Sequence, residues 1–208
     1  MKIIKVKGLK EASKKAYELT NFLFEDKKKY NIFLTGGRFG ENFSDFLISL
    51  NKTIKNKDFF LTDERITNKK SEKNFDLILK KIKKSKILNN NNFYRLEFPE
   101  KKNSYEAIKK LDLVFLSLGE DGHLAGHFFN SKNLNNRVCY TENASSLPPE
   151  RLSYRIDFLA KAELIILIII GDEKKQAFDF LLKNKNIHSE SILNSKKIIT
   201  LTDIGNIS

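Results

Sequence analysis

The chain has 208 residues, 40% of them hydrophobic and 31% charged, and its 38 Lys+Arg against 26 Asp+Glu give a formal net charge of +12. That apolar content excludes an intrinsically disordered chain and is enough for one well-cored domain. The single cysteine, Cys139, excludes an internal disulfide and a CxxC metal site.

The charge surplus favours anionic partners: nucleic acid, phosphate esters or membrane surfaces. Much of it is Lys spread along the chain beside many Asn and Ile, a sequence-wide bias that indicates a DNA-binding face only weakly. A soluble enzyme of anionic metabolites explains the charge equally well. The opening MKIIKVKGLKEASKK holds no long apolar segment and does not read as a signal peptide, and the lone thiol fits a reducing cytoplasm. The most apolar stretch, residues 164–170, spans seven residues, whereas a membrane helix needs roughly 20. It reads as a buried strand.

After a short opening strand at residues 3–6, Leu9, Ala12, Ala16, Leu19 and Leu23 recur at three- and four-residue steps and predict an amphipathic helix. Residues 31–35 read as a strand running into Gly36-Gly37-Arg38-Phe39-Gly40, and Phe43, Phe46, Leu47 and Leu50 follow at helical spacing. A strand, a glycine loop and a helix start form the ordinary anion cradle, in which free backbone N–H groups meet a phosphate. This loop is neither a Walker loop nor GxGxxG, and two adjacent glycines can also simply make a turn. Residues 58–62 are a third strand ending at Asp63-Glu64-Arg65, a triplet that in isolation reads as solvated loop. Residues 71–83 read as helical, with Phe75, Ile78, Leu79 and Ile82 inward. A polar loop through residues 89–92, a strand at 93–98 and a helix at 104–110, opened by a capping box at Asn103-x-x-Glu106, follow.

Residues 111–118 are mostly apolar, and then the composition breaks at Gly119-Glu120-Asp121-Gly122-His123. A short aliphatic run ended by a glycine turn suits a strand buried on both faces of a parallel sheet. The turn sets an acid and a histidine beyond the strand's carboxyl end, the edge at which open α/β sheets bind ligands. His123 is therefore the leading candidate for chemistry. Residues 130–143 are polar and irregular, and Pro148-Pro149-Glu150-Arg151 stiffens a loop. The strand at 164–170 is closed by Gly171-Asp172-Glu173-Lys174 and a helix carrying Ala177, Phe180 and Leu181, before a last strand at 197–201. This alternation predicts one α/β domain over residues 1–208, with a mainly parallel sheet flanked by helices.

Gly119-Glu120-Asp121-Gly122-His123-Leu124-Ala125 resembles the G-x-D-G-H-x-A signature of the 6-phosphogluconolactonases, which share a fold and a phosphosugar site with glucosamine-6-phosphate deaminases. Gly36-Gly37 resembles their first phosphate loop, Asp63-Glu64-Arg65 the lactonase D-E-R, and Ser71-Glu72-Lys73-Asn74 their S-N segment. Pro149-Glu150-Arg151-Leu152-Ser153 is similar to the P-x-R-[IL]-[ST] block and Gly171-Asp172-Glu173-Lys174 to G-x-x-K. These matches occur in family order over nearly the entire chain. Deaminases usually carry D-E-Y or D-E-W, and an acid in A-F-N-E-P after the histidine. Here Arg65 ends the triplet and Leu124-Ala125-Gly126-His127-Phe128-Phe129 holds no acid, so both differences favour lactonase. The chain departs from the family at Arg38-Phe39-Gly40, where Ser/Thr-Pro is usual, at His127 and Phe129, and at Ser189-Glu190-Ser191. His123 and His127 are spaced as H-x-x-x-H, but Leu124 stands where a zincin needs Glu and Gly126 weakens a helix, so no metal is expected. His127 reads as a packing or rim residue and His188 as a loop residue.

The resemblance implies a Rossmann-like sheet of the phosphosugar isomerase/lactonase type. It also implies hydrolysis of 6-phospho-D-glucono-1,5-lactone to 6-phosphogluconate without cofactor or metal, by a monomer in the cytoplasm. It assigns His123, Asp121, Arg65 and Asp63 to catalysis and Gly36, Gly37, Arg38, Arg151 and Lys174 to the phosphosugar. The partner is a small phosphosugar lactone, with no nucleic acid or membrane. Two alternatives stay open: a glucosamine-6-phosphate deaminase/isomerase-like enzyme and a non-catalytic sugar-phosphate-binding relative.

Overall fold

The two most aliphatic runs become neighbouring strands at the middle of the molecule, because a parallel strand covered on both faces must be apolar at every position. The computed structural model describes residues 1–85, 88–89, 92–99 and 101–205, with backbone alone at 88, 89 and 103–105. Its strands are β1 (Lys2–Lys5), β2 (Tyr30–Leu34), β3 (Ile54–Lys55), β4 (Lys57–Leu61), β5 (Asp63–Arg65), β6 (Leu88–Asn89), β7 (Asn92–Phe93), β8 (Leu113–Ser117), β9 (Lys132–Asn133), β10 (Val138–Thr141), β11 (Arg151–Tyr154), β12 (Leu164–Ile169) and β13 (Ile198–Thr202). The helices are α1 (Leu9–Glu25), α2 (Gly37–Ser49), α3 (Lys80–Lys84), α4 (Lys102–Ala107), α5 (Ile156–Leu159), α6 (Lys175–Leu182) and α7 (Ser189–Leu193).

Seven strands form one sheet in the order β1-β13-β12-β8-β2-β4-β7, and every pairing in it is parallel. Side chains alternate across it with period two. Leu113 and Phe115 of β8, with Leu164, Ile166 and Ile168 of β12, join the core under α1 and α2. Val114 and Leu116, with Ile165, Leu167 and Ile169, join the core on the opposite face under α5, α6 and α7. From β2 the chain moves outward to β4 and β7, then returns to the other side of β2 as β8. The strand order therefore reverses between β2 and β8, and the crevice beyond their carboxyl ends is the switch point where such sheets take ligands.

A second, antiparallel sheet, β5-β11-β10-β9, overturns two readings of the sequence. Asp63-Glu64-Arg65 is not solvated loop but strand β5, and Asp63 and Glu64 are buried. The Glu64 carboxylate accepts the N–H groups of Asn74 (2.6 Å), Phe75 (2.9 Å) and Arg65 (2.8 Å). It thus satisfies the free donors where the helical stretch through residues 75–84 begins. Burial raises its pKa, with those three donors opposing. The polar segment 130–143 is not irregular either, because β9 and β10 lie in it and Val138 and Cys139 are buried.

Smaller differences have similar causes. The strand expected at 93–98 is reduced to β7, at the sheet's edge. Arg151 opens β11 rather than ending a loop, and Phe178 takes the inward place on α6 while Phe180 is 43% exposed. Of the loop through 89–92, Asn89 and Asn92 sit in short parallel strands and positions 90 and 91 lie outside the described residues, as does the side chain of the Asn103 cap. Among the described residues no helix is long and apolar enough to cross a membrane.

Candidate active site

The loops that leave β2 and β8 meet at the switch point around a cavity of about 600 Å³. Every residue assigned to a site from the sequence lines it: Gly36, Gly37 and Arg38 after β2, Asp63 and Arg65 on β5, Asp121 and His123 after β8, Arg151 on β11, and Lys174 after β12.

The turn after β8 closes on itself. Gly119 N–H donates to His123 O at 2.8 Å, Gly122 N–H donates to Gly119 O at 3.1 Å, and Gly122 adopts φ +87°, where glycine is favoured. This brings His123 Nδ1 to 2.5 Å from Asp121 Oδ1, while Asp121 Oδ2 accepts from Ser145 Oγ at 2.6 Å. Burial pushes the Asp121 pKa up, but the bonds from His123 and Ser145 outweigh it and hold the carboxyl well below the usual carboxylate range. An ionised Asp121 fixes the proton on Nδ1, which leaves the Nε2 lone pair as the basic site. The imidazole stacks on Phe128 at 4.1 Å and lies flat over Gly119, where an added Cβ would come within 2.1 Å of Cε1. It is 22% exposed, open to the cavity rather than sealed in the core.

His127 faces away from this turn. Its Nδ1 accepts the Ile156 N–H at 3.1 Å, and its ring lies 4.7 Å from that of His188. Residues 123–127 run through turns and not a helix, so the H-x-x-x-H spacing sets up no shared ligand face. His188 is no ordinary loop residue: it is 3% exposed, and burial, with His127 and His123 nearby, pushes its pKa down to about 4. His127 is lowered in the same direction, first by burial, with Asp157 opposing and Arg155 adding. Between about pH 4 and the unfolded value of ~6.5, the unfolded chain binds a proton that buried His188 refuses, so stability falls as pH drops through that window. A loss of about 2 kcal/mol between pH 7.5 and pH 5 is expected, read as a fall in Tm that His188→Gln flattens.

Cationic groups and a glycine loop line the same cavity. Gly36 and Gly37, the latter at φ +65°, lead into α2 and present its free N–H groups. Buried Asn74 packs its amide on Gly36, where a Cβ would come within 2.3 Å of Nδ2, and donates to Asp63 O (3.1 Å) and Oδ2 (3.0 Å). Asn74 thus ties the glycine loop to β5. Arg65 and Arg151 are direct cross-strand partners. The buried Arg151 guanidinium donates to Pro148 O, to Glu150 O at 3.3 Å, and to Ser146 O and Oγ at 3.1 Å each, so it latches the loop before β11. Burial lowers its pKa, with Asp63 opposing. Lys174 follows Gly171 in a single turn, where burial and then Arg38 lower its pKa, and among the described residues its ammonium has no hydrogen-bonding partner. Arg38 stands at the mouth, its side chain 70% exposed and paired with Glu173 at 3.1 Å.

The sequence alone assigns no role to Asn74, Ser145 or Ser146, which also line the cavity. Asn74 carried a signal, the S-N segment; the two serines carried none, because their partners are fixed by tertiary contact across 24 residues (Ser145 to Asp121) or by a loop latch (Ser146 to Arg151).

Comparison with known proteins speaks to the family and the fold. A sequence model of the family described as glucosamine-6-phosphate isomerases/6-phosphogluconolactonase matches residues 7–199. A 6-phosphogluconolactonase of Borreliella burgdorferi is 29% identical over 189 residues, covering 78% of each chain. A crystal structure of the 6-phosphogluconolactonase of Thermotoga maritima superimposes with a TM-score of 0.76 at 21% identity, over 97% of this chain and 98% of that one. A monomeric glucosamine-6-phosphate deaminase superimposes with a TM-score of 0.78 at 17% identity, over 97% of both chains. At those identities the two structures speak for the fold.

Proposed function

The chain belongs to the glucosamine-6-phosphate isomerase/6-phosphogluconolactonase family, and from that premise we propose that it hydrolyses 6-phospho-D-glucono-1,5-lactone to 6-phospho-D-gluconate. The observation that carries this reading is that the Asp121–His123 pair shares one cavity with Gly36-Gly37, Arg151 and Lys174.

The lactone is already an activated ester, so a positioned base suffices. His123 Nε2 takes a proton from water as its oxygen bonds to C1 and the carbonyl electrons move onto oxygen. Collapse of that oxyanion breaks the C1–ring-oxygen bond, and the imidazolium returns the proton to the leaving alkoxide. Asp121 holds the ring and stabilises the imidazolium. Arg65, beside Asp63, and the backbone N–H groups of the glycine loops supply donors for the oxyanion. At the far end, the α2 start, Lys174 and Arg151 grip the phosphate dianion, so that binding there aligns C1 for attack. The short apolar reach after His123, Leu124 to Phe129, offers no acid to run a deaminase-type ring opening. We read residues 1–208 as one lactonase-type domain, working as a monomer in the cytoplasm.

The test is turnover of freshly generated 6-phosphogluconolactone by the wild-type protein, corrected for spontaneous opening. Acceleration above that background is expected. Ammonia release from glucosamine 6-phosphate without lactone turnover would move the protein to the deaminase branch, and binding of 6-phosphogluconate with no turnover would make it a non-catalytic relative.

A further inference from the structure

We infer that Asn186 and His188, on the segment joining α6 to α7, are positioning residues that clamp the catalytic turn on both sides of His123. The inference rests on the lactonase reading for its kinetic consequence, but the clamp itself is geometric. Asn186 Nδ2 donates to Gly122 O at 2.8 Å, the carbonyl immediately before His123. His188 Nε2 lies 2.8 Å from His127 O, four residues after it. A carbonyl oxygen only accepts, so this contact requires the His188 proton on Nε2.

The two donors act as one unit. Asn186 Oδ1 accepts the His188 N–H at 2.8 Å, and Ser189 Oγ accepts the Asn186 N–H at 3.2 Å, so the order of one residue enforces that of the other. The fit is tight on the turn's side too, because a Cβ at Gly122 would come within 2.4 Å of Asn186 Nδ2. Beyond the second clamp, the His127 ring is pinned by Ile156 N–H at 3.1 Å. His188 itself is 3% exposed and cannot exchange its partner for water without opening this packing.

The turn is also tied to other elements, by Ser145 Oγ to Asp121 Oδ2 at 2.6 Å and by Ser153 and Thr141 to Gly126 at 3.1 Å each, but Asn186 and His188 hold the backbone carbonyls at Gly122 and His127 that bracket His123 itself. His123 takes its aim from Asp121, which lies in the same turn. Their mutual bond therefore survives a rigid tilt of the turn, while the direction of Nε2 toward C1 does not. A displacement of ~1 Å at a reacting group costs on the order of 10²-fold in rate. The cationic groups and the glycine loop hang on other elements, β2, β11 and the turn after β12, so substrate affinity is insulated from such a tilt.

Three variants test this. Asn186→Asp replaces the donor to Gly122 O with a carboxylate oxygen that repels it, and keeps the Oδ1 acceptor for His188; His188→Leu removes the second donor, and His188→Gln supplies an amide N–H in its place. For Asn186→Asp and His188→Leu the expected result is kcat lowered about tenfold or more with KM within twofold, and recovery of most of that loss in His188→Gln. Equal changes in kcat and KM, a Gln variant no better than Leu, or unchanged kcat in Asn186→Asp would overturn the inference. If His188→Leu does not fold, the half-exposed Asn186 position decides. With only three histidines in the chain, ¹⁵N NMR of the imidazoles gives a readout independent of turnover: His188 protonated at Nδ1 would remove the clamp. Absence of wild-type turnover with the Nε2–H tautomer present would instead defeat the lactonase reading and leave the clamp standing.

Discussion

Replacing His123 by asparagine is expected to lower kcat for the phosphorylated lactone by about 10²–10⁴-fold, the usual yield of a positioned general base, with KM nearly unchanged. Asparagine is the informative choice because its amide can stand in for Nδ1–H and keep the bond to Asp121 Oδ1, now 2.5 Å from the ring nitrogen. What it lacks is anything in the place of Nε2. The substitution therefore deletes the base while leaving the turn, the Ser145 bond to Asp121 and the cationic groups in place. A loss of that size corresponds to about 3–5 kcal/mol of transition-state stabilisation. Stopped assays that subtract spontaneous ring opening measure it, and turnover within a few-fold of wild type in a folded variant would remove His123 from its role.

The parts of this site that the sequence displayed are those built from local chemistry. Residues 111–118 and 164–170 announced β8 and β12 because strands covered on both faces are apolar throughout. Their glycine-ended carboxyl edges mark the loops that line the candidate cavity. What escaped was decided by partners far along the chain. Asp63-Glu64-Arg65 looks like loop because it is charged, yet Glu64 is buried to receive the N–H groups of Asn74 and Phe75, ten and eleven residues on. The strands in residues 130–143 are hidden by polar composition because they belong to a small sheet with one exposed edge. Asn186 and His188 reach the turn across 64 and 61 residues, and nothing about an asparagine or a histidine before a short helix foretells that. Motif resemblance points to the candidate site residues through their type and order; it does not point to the residues that hold them, whose identity depends on a packing arrangement that local pattern does not encode.

The second large effect lies at the cationic groups, where two variants should fail in different ways. Lys174→Met is expected to raise KM for the phosphorylated lactone by roughly 10–100-fold, the worth of one charge-assisted contact, and to leave hydrolysis of unphosphorylated gluconolactone within twofold. Among the described residues its ammonium makes no hydrogen bond or ion pair and feels Glu173, Glu120 and Asp203 only at longer range, so the loss falls mainly on the ligand's phosphate. Arg151→Ala is a different experiment. Its guanidinium holds the carbonyls of Ser146, Pro148 and Glu150, and each such part-buried hydrogen bond lost costs about 0.5–1.5 kcal/mol. The loop it latches also carries Ser145, the donor to Asp121. Loss of Arg151 should therefore lower kcat/KM by about 10²–10³-fold on the phosphorylated lactone, and part of that loss, the kcat part, should persist on unphosphorylated gluconolactone. Kinetics of both variants on both substrates separate the roles. A Lys174→Met loss that is equal on the two lactones would take the phosphate away from Lys174, and an Arg151→Ala variant unimpaired on gluconolactone would break the link from Arg151 through the Ser145 loop to the Asp121–His123 pair.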